Sequence, residues 1–109
     1  EDEGAREPSA SQLKSLGNEA YQREDVGDAV ELWNRAIRRH VEGMQPGAGT
    51  PVLSQESLDL ERSIYLNLAQ GYLKLGEPLR ALRACQAVLH EHPDDAKARY
   101  RAAAACLAL

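Results

Sequence analysis

Five residues of this chain have types and spacing that could act together on one ligand: Lys14, Asn18, Asn67, Lys97 and Arg101. Lys14 and Asn18 stand four apart in Leu13-Lys-Ser-Leu-Gly-Asn18, and Lys97 and Arg101 stand four apart in Lys97-Ala-Arg-Tyr-Arg101. On a helix, each such pair stacks on one face with Cβ atoms about 6 Å apart. Asn67 lies between them in the chain, in Tyr65-Leu-Asn-Leu-Ala-Gln-Gly-Tyr72. The set supplies two ammonium groups, a guanidinium fork and two amides, which are donors that suit the two carboxylates of a C-terminal aspartate. A hydrogen bond to a charged group contributes roughly 1.5–3 kcal/mol, so several on one ligand residue would hold a short peptide at roughly micromolar strength. Taken singly, each of these side chains would read as solvated surface or as a backbone partner. Their meaning rests on elements that bring them together.

Those elements are helices. In 109 residues the composition is 43% hydrophobic and 28% charged, with no Phe, and much of the apolar content is Ala and Leu, which favour helix. The length suits one small all-α domain and leaves no room for a catalytic domain beside it. Ser9 or Ser11 can cap a first helix reaching about Arg23, and Asp25 can cap a second that runs to about Glu42 before Gly43. Ser54, with Glu56 in the first turn, opens a third helix that ends near Leu75 at Gly76. Pro78 fits the first turn of a fourth, and Asp94 or Asp95 caps a fifth from Ala96 to Leu109. Gly43, Pro46, Gly47, Gly49 and Pro51 mark a loop between the second and third helices.

The helices repeat. Leu68-Ala69 and Ala102-Ala103 lie 34 residues apart, while Leu16-Gly17 stands 52 before the first of these pairs, so 18 residues are inserted in the first interval. Thirty-four is the period of the tetratricopeptide repeat (TPR). Its small crossing positions are met by Ala29 and Ala81 and then by Ala36 and Val88, its large second-helix position by Trp33 and the smaller Cys85, and its closing proline by Pro93. The expected organisation is a flexible acidic leader over 1–10 and a TPR domain over 11–109. Within that domain, repeat one spans 11–43, an insertion 44–53, repeat two 54–93 and the first helix of a third repeat 96–109. This amounts to a helical-hairpin superhelix of about two and a half repeats and five helices. Both cysteines fall at core positions in this register, which predicts buried, unreactive thiols. The fifth helix has no capping partner in the sequence, so its outer face, with Leu107 and Leu109, is expected to stay exposed, which leaves self-association open and suggests a chain cut within its third repeat.

With these residues placed, the chain resembles the TPR domain of the immunophilins from Ser11 to Leu109, most specifically in Tyr65-Leu-Asn-Leu-Ala-Gln-Gly-Tyr-Leu-Lys-Leu-Gly76 and in Asp94 to Arg101. That family includes FKBP-type and cyclophilin-type prolyl isomerases and the aryl-hydrocarbon-receptor-interacting protein, and the insertion after the first repeat has its form. Lys14, Asn18, Asn67, Lys97 and Arg101 match the carboxylate clamp of TPR co-chaperones. The resemblance implies a cytoplasmic interaction module, with the nucleus as a second compartment, that binds the C-terminal Met-Glu-Glu-Val-Asp tail of the heat-shock protein 90 class or the related tail of the heat-shock protein 70 class. Arg99 departs from the pattern, which has a large apolar residue there. Tyr21 could wall the groove or simply pack between helices, Gln70 is a weaker polar candidate at the matching place beyond Asn67, and Lys74 could add attraction for acidic ligand residues or stand as a solvated stem.

Other functions find less support. Net charge is −4, of which −3 lies in the first ten residues, so residues 11–109 are near neutral and no Lys/Arg run offers phosphates a footprint. No apolar stretch approaches the length of a membrane span. His90 and His92 are two apart and share no helical face, which argues against a metal pair, and His40 has no catalytic set around it. With no glycine-rich phosphate loop, the expectation is a non-enzymatic adaptor that needs no cofactor. Two alternatives stand beside it: the targeting half of a longer peptidyl-prolyl isomerase, and a scaffold that binds a helical protein without using the groove.

Overall fold

The structure, a computed structural model, describes residues 7–43 and 54–109. The expected insertion over 44–53, and the expected leader as far as Arg6, lie outside the described residues. Five helices form: α1 Ala10–Gln22, α2 Val26–Glu42, α3 Gln55–Lys74, α4 Pro78–Glu91 and α5 Ala96–Ala108. No strand occurs among the described residues, as the all-α reading expects.

Local chemistry accounts for the helix ends. Ser9 closes a capping box with Gln12: its hydroxyl accepts from the Gln12 amide at 3.1 Å, and Gln12 Oε1 accepts from the Ser9 amide at 2.8 Å. Helix α1 therefore starts one residue before the expected domain boundary. Ser54 caps α3 through the Ser57 amide, and Asp95, rather than Asp94, caps α5 through the Ala98 amide. Asp25 precedes α2 without a side-chain capping bond, so it closes that end only through its backbone.

The turns within the two helix pairs, α1–α2 and α3–α4, are equivalent. The Asp25 amide donates to Ala20 O at 2.9 Å, and the Glu77 amide, 52 residues on, donates to Tyr72 O at 2.8 Å. Both turns pass through a left-handed residue, Gly76 at φ 74° and Glu24 at φ 68°. Glycine meets that requirement without steric cost, whereas glutamate at the same repeat position does not. Glu24→Gly is therefore expected to raise stability by up to about 1 kcal/mol, read as an increase in the urea midpoint.

Sequential helices pack as neighbours, while α3 also touches α1 and α5, so the first helices of successive pairs line a common side. The core runs from Leu13 and Ala20 through Ala29, Val30, Trp33 and Ala36 to Ile64, Leu68, Ala69, Ala84 and Cys85. Trp33 is its largest member. The indole lies against Gly17 of α1, where an added Cβ would stand 2.4 Å from Nε1, and against Gly71 of α3, where a Cβ would stand 3.3 Å from Cζ3. Its Nε1–H donates to the Lys14 carbonyl at 3.2 Å. A methyl at Gly17 has nowhere to go, so Gly17→Ala should lower stability by about 1–3 kcal/mol, measured by thermal or urea unfolding.

The repeat register is not reflected in equal burial. Leu68 is buried but its equivalent Leu16 is 42% exposed, because α1 has a neighbouring helix on one side only. The expected exposure of the last helix is present, with Tyr100, Leu107 and Leu109 all outward. Cys106 departs from expectation. Cys85 is buried, as predicted, but Cys106 is exposed on α5, since that helix buries only the Ala98 and Ala105 face against α4. Both thiols are free.

Candidate functional site

Each candidate residue lies on an odd-numbered helix: Lys14 and Asn18 on α1, Asn67, Gln70 and Lys74 on α3, Lys97 and Arg101 on α5. Three contacts across helices bring most of them together. Asn67 Nδ2 donates to Asn18 Oδ1 at 3.1 Å, joining α3 to α1. Arg101 Nη2 donates to Gln70 Oε1 at 2.6 Å, and Nη1 donates to the Leu66 carbonyl at 3.3 Å, joining α5 to α3. These two bonds fix the plane of the guanidinium and leave its remaining N–H donors for a ligand.

Two adjoining hollows result. One, of about 270 Å³, is lined by Asn18, Tyr21, Gln22, Trp33, Asn67 and Gln70. The other, of about 470 Å³, is lined by Gln70, Leu73, Lys74, Lys97, Tyr100 and Arg101, with Ala96 at its edge. Gln70 belongs to both, so they meet at the Arg101 contact. Lys14 lines neither hollow; it is half-buried one turn before Asn18, with its carbonyl engaged by Trp33. Tyr21 packs on Trp33 with ring centroids 5.7 Å apart and also lines the smaller hollow.

No acid among the described residues pairs with the charge in these hollows. Lys14, Lys74, Lys97 and Arg101 form no ion pair with a carboxylate among the described residues. The acid that does lie near α5 is used elsewhere: Asp95 accepts from Ala98 N through Oδ1 at 2.9 Å and meets Arg62 of α3 through Oδ2 at 3.5 Å. That pair holds the start of α5 against α3 and so sets the position of Lys97. Arg99, where the repeat pattern has an apolar residue, is exposed and only 3.9 Å from Asp94. Burial pushes the Cys85 thiol up, the Arg101 guanidinium draws it down by less, and Asp95 adds to the rise. A thiol held in its neutral form is a packing group and not a nucleophile.

Sequence reasoning ranked Gln70 as a secondary wall, whereas the structure makes it the side-chain partner of Arg101. Leu73, Ala96 and Tyr100 were not singled out, although Leu73 follows Gln70 at i+3 and Tyr100 follows Lys97 at i+3, the spacing that shares a helical face. The arrangement is a donor-lined groove with apolar patches, formed by the first helices of successive pairs. Residues 66–109 match the tetratricopeptide repeat family. The matched segment carries Asn67, Gln70, Lys97 and Arg101, and the five helices have the hairpin packing of a TPR domain. The matched repeat supports a protein-interaction module. No helix among the described residues is long and apolar enough to cross a membrane.

Proposed function

We propose that this TPR domain is the chaperone-binding module of a co-chaperone. It takes the C-terminal acidic tail of the heat-shock protein 90 class, or the related tail of the heat-shock protein 70 class, in a carboxylate clamp. The observation that carries this reading is the pairing of Asn18 with Asn67 across α1 and α3 and of Arg101 with Gln70 across α5 and α3, beside Lys97 and Lys74, which form no ion pair with a carboxylate among the described residues. Asn18 and Asn67 offer amide N–H groups to the terminal carboxylate, with Lys14 approaching from the same face of α1. Lys97 and Arg101 meet the aspartate side chain. Tyr21, Leu73 and Tyr100 provide apolar surface for the residues before it, and Lys74 attracts the tail's glutamates.

Two measurements test the charge dependence. Lys97→Ala should weaken binding of a free-acid Met-Glu-Glu-Val-Asp peptide by about 1–3 kcal/mol while leaving helical content intact. Raising salt from low to several hundred millimolar should also weaken wild-type binding, because the contacts are charge-assisted and partly open to water. Affinity indifferent to both changes would sink the clamp. A second reading has its own observation, the outward Leu107 of α5 and Leu109 just past its end, at 88% and 66% exposure. A scaffold that docks a helical partner there would lose binding on Leu107→Ser and keep it on Lys97→Ala.

A further inference from the structure

A second groove lies on the far side of α3 from the clamp. It is lined by Asn34 of α2, Tyr65, Leu68 and Tyr72 of α3, and Arg80 and Arg83 of α4, and encloses about 400 Å³. On α3 the clamp side carries residues 67, 70 and 74 and this groove takes 65, 68 and 72, which at 3.6 residues per turn fall on opposite faces of the helix. The floor is apolar, with buried Leu68 and Ala84 and half-buried Ala87.

Polar groups around that floor are unbalanced toward donors. Asn34 Nδ2 donates to the Tyr72 hydroxyl oxygen at 3.0 Å, so the Tyr72 O–H is left to donate elsewhere. Burial first, and the nearby Glu61 carboxylate second, push the Tyr65 hydroxyl up, so it too keeps its proton at neutral pH. Arg80 Nε meets Glu77 at 3.2 Å, but Arg83 forms no ion pair among the described residues. Arg38, one turn beyond Asn34 on the same face of α2, is exposed and equally unpaired among them. The acids Glu61 and Glu91 line a separate hollow of about 130 Å³, together with Arg62 and His92, that adjoins the groove at Tyr65 and Ala87. The groove is thus basic toward Arg80 and Arg83 and borders a hollow of mixed charge at its opposite end.

We propose that this α2–α3–α4 groove is a second peptide site, for an internal acidic segment that lays an aliphatic side chain on Leu68 and Ala84 and points carboxylates at Arg83 and Arg80. Charge complementarity selects this occupant: the groove presents phenol and guanidinium donors around an apolar floor, which an acceptor-rich chain with an apolar residue satisfies and a basic chain does not. Unlike the clamp, nothing here requires a free C-terminus, so the site is independent of the tail-binding reading.

The test uses the peptide Asp-Asp-Leu-Glu-Leu-Asp, acetylated and amidated so that it has no terminal carboxylate, titrated into the chain by calorimetry and by amide NMR. The expected result is saturable binding with the largest shifts at Asn34, Tyr72 and Arg83. Arg83→Glu should weaken it by at least about tenfold, and Lys97→Ala should leave it unchanged. Arg83 is exposed, and Arg83→Glu should retain the wild-type circular dichroism and its affinity for the free-acid chaperone tail, which separates this site from the clamp. Absence of saturable binding would overturn the proposal. So would equal binding of the Asn/Gln version of the peptide, or shifts centred on Lys97 and Arg101 with loss of binding in Lys97→Ala.

Discussion

Trp33→Ala should cost about 3–5 kcal/mol, the largest destabilisation expected from any single truncation in this chain. Trp33 is 2% exposed and sits where α1, α2 and α3 meet, against Gly17, Gly71 and the ring of Tyr21. Truncation removes an indole's worth of apolar contact and leaves a void that the flanking glycines have no side chains to fill. It also strands the Lys14 carbonyl that the indole N–H now satisfies. A domain of this size is stable by about 5–15 kcal/mol at most, so a loss of this order removes much of the margin. Urea unfolding followed by circular dichroism would report it as a large fall in the midpoint. The effect extends to the site, since the same side chain spaces α1 from α3 and so keeps Asn18 within reach of Asn67. Trp33→Phe, which keeps most of the volume and loses the N–H donor, should cost less and separate packing from hydrogen bonding. A Trp33→Ala midpoint within experimental error of wild type would show that the three helices are not held together at this point.

Arg101→Ala should be the most damaging change to tail binding, by about 1–3 kcal/mol, with little effect on helical content. Its guanidinium is already oriented by Gln70 and the Leu66 carbonyl, so little freedom is lost when a ligand arrives. Removing it takes away the preset donors and frees Gln70 to turn into the groove. Arg101→Lys should not restore affinity, because an ammonium cannot bond Gln70 and Leu66 and still present a fork to a carboxylate. Gln70→Ala is the informative companion: it leaves the charge in place and loosens its orientation, so it should weaken binding by a smaller amount. Full affinity in Arg101→Ala would remove this residue from the site and leave Lys97 as the only candidate charge on α5.

Much of the helical framework could be read in the sequence because its determinants are local. Ser9, Ser54 and Asp95 each cap through an amide three residues away, and Gly76 supplies the left-handed turn that a glycine signals. Glu24 adopts the same conformation without that signal; what holds it is the Asp25 to Ala20 bond, and the equivalence with Gly76 appears only when the two turns are superposed through the 52-residue interval. Burial on terminal elements was less legible. Cys106 fits the core register, but α5 packs chiefly on α4 through its small residues, and the cysteine falls on the side left open. Of the candidate site, the helix faces were legible from i, i+4 spacing, whereas the pairings Asn18 with Asn67 and Gln70 with Arg101 span 49 and 31 residues and depend on how the helices cross. Crossing geometry follows from side chains such as Trp33 and from glycines that admit them, which no local pattern states.

The most direct test of the central claim is a calorimetric titration of the domain with two forms of one peptide, Met-Glu-Glu-Val-Asp as the free acid and as the C-terminal amide. The groove described here should bind the free acid at roughly micromolar strength and lose about 1–3 kcal/mol on amidation, because the two asparagines and Lys14 then face a neutral group. Equal affinity for the two forms, or no binding of either, would contradict a carboxylate clamp.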